Sequence, residues 1–385
     1  MEQIPEVDFS IKNILKLAKQ KSNLDDFGDI EYLNALKTLL FAFDKESGAN
    51  KVGRFYFHSR VIRILTSRLK IANTLTLNPE IKLVPITNPL FIIGMLRTGT
   101  TFLHRLIACD AKLNHLKLWQ GLFPFSNLYN FDNNSMIEEA ALFVKDTKQL
   151  IKELPLIHDF NTKDAEECFW LLEHTFSDLI FELSANIPSY SAWLTRNENS
   201  INTYKYHRLL LQLLSFKKPC KPWVLKAPRH LFSLDAILKV YPDAKIVWLH
   251  RDPAKTIPSL CSLSEALRKL YVNKVNKNKL GNFWFKKMLH GVNKAMNARK
   301  NIKNNQIIDI KYNDLIENPI STIKKIYSHF NYEFSETFRQ NMTIYISKNV
   351  SKKRGSHYYT LQEFGLNESD IKNSFLKYTH NYLTN

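Results

Sequence analysis

Three short stretches of the sequence concentrate residue types that bind anions. The first is Gly94-Met95-Leu96-Arg97-Thr98-Gly99-Thr100-Thr101. Two glycines let a backbone curl with its N–H groups pointing inward, and threonine hydroxyls add donors. A helix starting at the end of the loop adds partial positive charge. With Arg97 as a cation, this is the chemistry of a site for a phosphate-like group. The second stretch is Trp223-Val224-Leu225-Lys226-Ala227-Pro228-Arg229-His230, with a lysine where an apolar run ends. The third is His250-Arg251-Asp252-Pro253, followed by Ser259. An arginine fork plus a hydroxyl makes a cradle for a second phosphate. Asp252 and Pro253 also read as the cap and first residue of a helix, which is compatible with that role.

These residues need a scaffold that holds them at strand ends. Pro89-Leu-Phe-Ile-Ile-Gly94 is a short, continuous apolar run ending in glycine, as expected for a strand buried on both faces. Residues 223–226, 245–250 and 306–311 read the same way. Helical stretches separate them, at about 100–108, 136–153, 164–184, 200–216, 230–240, 254–271, 282–301 and 313–330. Such alternation implies βαβ units and a mostly parallel sheet, whose ligands sit beyond the carboxyl ends of the strands. The first 75 residues read as helices. Ile30, Leu33, Leu36, Leu39 and Leu40 recur at helical spacing, and Arg54, Arg60, Arg63, Arg68 and Lys70 punctuate the next stretch. The expected fold is α/β: a P-loop-like three-layer unit with a central, mostly parallel sheet flanked by helices. Residues 1–85 would form an N-terminal helical extension. Residues 86–385 would form the α/β domain with helical insertions on the acceptor side. The spacing from Gly94 to Thr101 approaches the Walker A loop GxxxxGK[ST]. Thr100 occupies the lysine position, which argues against an NTPase.

The chain has 385 residues, and 54 basic against 36 acidic side chains give a net charge of +18. Such a balance favours an anionic partner: a nucleotide, an acidic polymer, nucleic acid or an anionic membrane. A hydrophobic share of 44% excludes a largely disordered chain. Cys109, Cys168, Cys220 and Cys261 form no CxxC, so neither a zinc knuckle nor a disulfide framework is expected, and a reducing cytoplasm fits. No HExxH, HxH or carboxylate triad suggests a metal. The N-terminus has no apolar secretory core and no run of 18 apolar residues occurs, so neither a signal nor a transmembrane segment is expected. Between Arg268 and Lys303 stand eleven lysines or arginines and no acid, interleaved with Tyr271, Phe283, Trp284 and Phe285. That segment could hold an acidic acceptor, touch an anionic membrane or bind nucleic acid, or it could form solvated helix faces.

Taken in order, LRTGTT, LKAPRH, LHRDP with Ser259, KYNDLIENP and the late His357-Tyr-Tyr-Thr-Leu361-Gln-Glu-Phe364-Gly365-Leu366 resemble a known series. They resemble the sulfotransferases that use 3'-phosphoadenosine 5'-phosphosulfate (PAPS), most of all the bacterial branch. The resemblance spans roughly residues 88–366. It implies that Arg97, Thr98, Gly99, Thr100 and Thr101 bind the 5'-phosphosulfate. Arg251 and Ser259 would hold the 3'-phosphate, and Tyr312 would lie near the adenine. Lys353-Arg354-Gly355 resembles, with different spacing, a basic segment that also reaches the 3'-phosphate. Lys226 matches a strand-end lysine beside the transferred group.

Sulfuryl transfer builds charge on the bridging and equatorial oxygens, which fixed cations and N–H donors stabilise. Arg97 and Lys226 could do this without a metal. The acceptor must lose a proton to a general base. The candidates are His158, upstream of Glu166 and Glu167, and those two glutamates themselves, with His230 as a third possibility. Aromatic stretches at 119–129 and 168–181 belong to the core or line an acceptor pocket. In the second case they favour a small, apolar alcohol or phenol. The expected activity is transfer to a hydroxyl, with an amine as a variant. The alternatives are an ATP-using P-loop kinase, or a non-catalytic binder of anionic polymer or membrane through residues 268–303.

Overall fold

The computed structural model of the chain describes residues 4–125, 133–153, 160–350 and 359–384. Five strands form one parallel sheet: β1 (Leu90–Ile93), β2 (Asn114–His115), β3 (Trp223–Lys226), β4 (Lys245–His250) and β5 (Ile307–Lys311). Their order across the sheet is β2-β3-β1-β4-β5. The continuous apolar runs arise because both faces are covered. Phe91, Ile93, Leu225, Ile246 and Trp248 join a large cluster on one face. Leu90, Ile92, Val224, Val247 and Leu249 join a second cluster on the other. Each such side chain contributes about 1.5–3 kcal/mol on burial.

The second face is covered by helices Thr100–Ile107, Pro319–His329 and Glu336–Val350, through residues such as Leu103, Ile323 and Met342. The larger cluster is continuous from Phe9 to Tyr378 and includes the N-terminal helices Ile11–Ser22, Tyr32–Glu46 and Lys51–Leu77. Within it Phe43 and Phe57 stack at 3.6 Å. Gly53 lets the third helix press on the chain near Tyr271. A Cβ there would lie 2.3 Å from the Tyr271 carbonyl oxygen.

The four expected strands are present, within a residue of their expected ends. The edge strand β2 was not expected; two residues are too few to show a pattern. The helix expected over 164–184 is instead two short pieces, Phe169–Leu172 and Leu179–Ser184. The break comes at Phe176, which adopts φ 52°, and at Asp178, whose carboxylate caps the second piece through the Ile180 N–H at 2.8 Å. The helix expected over 313–330 is split at Pro319, which starts a new helix at its first position. The helix expected over 230–240 begins only at Leu234, after a 3-10 turn Pro228–Phe232.

Candidate active site

Strand order decides what meets what. Because β3, β1, β4 and β5 are neighbours, Lys226, the 94–101 loop, Arg251 and Tyr312 emerge side by side at one end of the sheet. Their registers keep these ends level: Ile92 pairs with Lys226, Ile93 with Trp248, and His250 with Lys311.

The loop after β1 is tight. Thr98 Oγ1 donates back to the Met95 carbonyl at 2.7 Å. Arg97 holds φ 73°, a left-handed conformation that a non-glycine residue adopts only under constraint. Gly99 caps helix Thr100–Ile107 with φ 90° and no side-chain hydrogen bond, so the first N–H groups of that helix stay available to a ligand. A Cβ on Gly99 would sit 2.9 Å from the Tyr312 ring, so the loop and the residue after β5 touch directly.

Two contacts join the expected phosphate cradles. Arg97 Nε donates to Ser259 Oγ at 3.1 Å, and Arg251 donates to the Arg97 carbonyl at 2.8 Å. The Arg251 guanidinium lies over the Tyr312 ring at 3.9 Å. Asp252 caps helix Pro253–Arg268 through the Ala254 N–H at 2.8 Å, so the helix-start reading and the cradle coexist.

On the β3 side, Lys226 is 3% exposed and donates to Thr101 Oγ1 at 3.1 Å. It also ion-pairs with Glu167. The adjacent Glu166 turns the other way, towards Arg105 at 3.5 Å, and its second oxygen faces the Glu167 N–H at 3.4 Å. Burial pushes the Glu166 carboxyl up to about 7; Arg105 opposes the shift and the neighbouring Glu167 reinforces it. Arg105 is further engaged by Tyr345 and lies 3.9 Å from Asp164. Sequence reasoning missed Arg105 and Tyr345. Arg105 sits on the helix after the anion loop, but only folding brings it against residue 166.

Thus Arg97, Thr98, Gly99, Thr100, Thr101, Lys226, Arg251, Ser259 and Tyr312 converge, with Glu166 and Glu167 beside them. His230 does not join them. It is fully buried, its Nδ1 lies 2.9 Å from the Tyr204 hydroxyl, and its ring packs edge-on against Phe91. Burial holds it neutral by pushing its pKa well below the usual value. His158 and the segment Lys353-Arg354-Gly355 lie outside the described residues. Of the aromatic stretches, Trp119, Phe123, Phe125, Trp170, Phe176 and Phe181 are buried in the core, while Phe169 is half-buried.

The profile described as "Sulfotransferase family" matches residues 89–336, well over half of the chain. The chain belongs to the sulfotransferase family. It is therefore an enzyme that transfers sulfuryl groups. This sulfotransferase is 30% identical to sulfotransferase STF1 from Mycobacterium tuberculosis H37Rv, with a TM-score of 0.83 over 96% of this chain and 98% of that one. It shares its fold with sulfotransferase STF9 from Mycobacterium avium, with a TM-score of 0.88 and 23% identity over 99% of each chain. It is also 22% identical to the omega-hydroxy-beta-dihydromenaquinone-9 sulfotransferase Stf3 of Mycobacterium bovis, over 71% of each chain. Among the described residues no helix is long and apolar enough to cross a membrane, and no group of acids, histidines and cysteines could hold a metal.

Part of the basic segment of the sulfotransferase, five of its eleven cations, is paired with acids of the same chain. Arg268 donates to the Glu182 carbonyl at 2.8 Å, and Lys287 pairs with the Glu182 carboxylate at 3.1 Å. Lys269 and Lys277 pair with Glu265, Lys294 with Glu198, and Arg299 with Asp309. Trp284 is fully buried and Tyr271 nearly so.

Proposed function

We propose that this sulfotransferase takes its sulfuryl group from PAPS and passes it to the hydroxyl of a small, partly apolar acceptor. The observation that carries the reading is the unbroken row Lys226, Thr101, the 94–99 loop, Arg97, Ser259, Arg251 and Tyr312 along the strand ends. Its donors are cations, hydroxyls and backbone N–H groups, which suits a ligand with anionic groups at both ends of a nucleoside. The loop and the start of helix Thr100–Ile107 would hold the 5'-phosphosulfate. Arg251 and Ser259 would hold the 3'-phosphate, with Lys353-Arg354-Gly355 as a further contact, and Tyr312 would border the adenine. Bound there, PAPS supplies the activated sulfuryl group.

Lys226 has three N–H donors. Thr101 and Glu167 take two, which leaves one for an oxygen of the group in transfer, where added negative charge is stabilised in a site shielded from water. Arg97 spans the two cradles and fixes their separation, which favours in-line placement. Within the acidic pair, both Glu166 oxygens are engaged inside the protein, whereas Glu167 stands against Lys226. This supports Glu167 as the group that takes the acceptor's proton, with Glu166 and Arg105 holding it in place. His158 is tested alongside: Glu167→Gln, Glu166→Gln and His158→Asn are compared at saturating donor. Loss of turnover with unchanged nucleotide affinity identifies the base.

An apolar acceptor is supported by the half-buried Phe169, two residues from Glu167. Its ring lies 4.4 Å from Trp170, which Phe143 meets edge-on at 5.7 Å. The name of the relative Stf3 specifies a hydroxylated menaquinone, itself an apolar alcohol. Four free cysteines fit a reducing cytoplasm.

The test is thermal stability with 3'-phosphoadenosine 5'-phosphate (PAP) against AMP and ATP–magnesium. Saturation at 100 times Kd adds about 2.7 kcal/mol. A shift confined to the 3'-phosphorylated nucleotide is expected; a shift with ATP alone would overturn the assignment.

A further inference from the structure

His250 ends β4 and Arg251 leaves it, so whatever anchors this strand end sets the origin of the Arg251 side chain. His250 is buried beneath the C-terminal helix Leu376–Tyr382, with its ring stacked on Tyr382 at 4.3 Å and 7°. Its Nε2 meets Asp309 Oδ1 of β5 at 2.9 Å, and its Nδ1 meets the Tyr378 hydroxyl at 3.2 Å. The Tyr378 hydroxyl also lies near the main chain of Arg251, which follows His250 directly. The Asp309 carboxylate can only accept, so Nε2 donates to it and Nδ1 accepts the proton of the Tyr378 hydroxyl. The ring proton of His250 then sits on Nε2 and is donated to Asp309. The bonds run one way: Tyr378 O–H to His250 Nδ1, and His250 Nε2–H to Asp309. The second Asp309 oxygen faces Arg299 at 3.5 Å, which ends the series on an ion pair. The series needs a neutral imidazole, and burial does lower the pKa of His250.

We propose that Tyr378 and His250 are positioning residues for the donor nucleotide. Through the Arg251 main chain they set the angle at which its guanidinium meets the 3'-phosphate. The other end of that side chain is fixed by the Arg97 carbonyl and the Tyr312 ring. The inference rests on the proposed reading of Arg251. None of the three partners, Tyr378, His250 or Asp309, belongs to the row that faces the ligand. The C-terminal helix thereby acts on donor binding from behind the sheet.

The experiment measures Kd for PAP and for AMP, with KM and kcat for PAPS, in four proteins. These are the wild type, Arg251→Ala, Tyr378→Phe and Asp309→Asn. Arg251→Ala should erase the preference for PAP over AMP; a preference that survives refutes the reading of Arg251 itself. Tyr378→Phe keeps the packed ring and deletes its hydrogen bond to His250. It should weaken PAP binding and raise the KM for PAPS about fivefold to tenfold, the size expected when a charge-assisted hydrogen bond is misdirected. AMP affinity and kcat at saturating donor should stay as in the wild type. Asp309→Asn removes the carboxylate charge that holds the proton on Nε2 and pairs with Arg299, and should give a smaller loss of the same kind. It also serves as the readout if Tyr378→Phe does not fold. If Arg251→Ala loses the preference while the two remote variants bind PAP like the wild type, the inference is overturned. Equal weakening of PAP and AMP, or a fall in Tm alone, would show a merely structural role and overturn it as well.

Discussion

Glu166 and Glu173 are buried carboxylates seven residues apart, and they are driven in opposite directions. At Glu166, burial dominates. One arginine at 3.5 Å and a second carboxylate next door leave it near neutrality, at about 7. At Glu173, burial also favours the neutral form, but Arg63 at 2.6 Å and Arg60 at 2.9 Å outweigh it and hold the carboxyl below its usual value. Arg68 adds a hydrogen bond to the next carbonyl, that of His174, at 2.8 Å. The difference teaches where this enzyme is fixed and where it is adjustable. The long helix Lys51–Leu77 clasps the segment after the acidic pair with full charge compensation. The corner beside Lys226 has one cation for each carboxylate, Arg105 for Glu166 and Lys226 for Glu167, and there burial outweighs the charges at Glu166.

The largest effect is expected from breaking the clasp. Glu173→Gln strands two arginines that are mostly buried, which should destabilise the protein by about 3–5 kcal/mol. At about 2.1 cal/mol/K per residue that lowers Tm by about 4–6 °C in a scanning experiment. An unchanged Tm would mean that the clasp carries no net stability. Next is the corner itself. Lys226→Met should reduce turnover about 100-fold to 1,000-fold at saturating donor, as removal of a transition-state donor does. It should also raise the protonated fraction of Glu166, whose pKa Lys226 lowers. A loss below about tenfold would place Lys226 outside the transfer step.

The contrast also predicts two opposite pH limbs. Glu166 has a raised folded pKa, so its contribution falls as pH rises from about 4.5 to about 7, on the order of 3 kcal/mol in total. Asp178, raised by burial to about 7, acts with the same sign. Glu173 has a lowered folded pKa, so its contribution is present above 4.5 and is lost as pH falls further. Glu166→Gln should therefore flatten part of the slope between pH 4.5 and 7, and Glu173→Gln the acid limb below 4.5. Denaturation followed across pH separates them, and identical profiles for the two variants would erase the distinction. The smallest effect is expected far from both sites. Lys279→Ala on the exposed side of the basic segment should change stability by no more than about 0.5 kcal/mol, with turnover unaltered in an added-salt series.

The sequence by itself determined the strands and the cations and hydroxyls that follow them. Four apolar runs that end in glycine, lysine, histidine-arginine or lysine-tyrosine are local signals, because burial on both faces demands a continuous run. Arg97, Lys226 and Arg251 were legible because a parallel sheet brings the residues after its strands to one edge, Ser259 as a hydroxyl in the helix after Arg251, and Tyr312 through the family resemblance alone. Only the tertiary structure decided which of these edges are neighbours, since strand order is a property of long-range pairing. That order put Arg97 against Ser259 and Arg251, joining two cradles that looked separate. It also decided protonation. No spacing shows that Glu166 meets one arginine and Glu173 two, or that the C-terminal helix reaches back to His250. Those contacts join residues 61 to 128 positions apart, and a carboxylate's charge depends on what surrounds it in space.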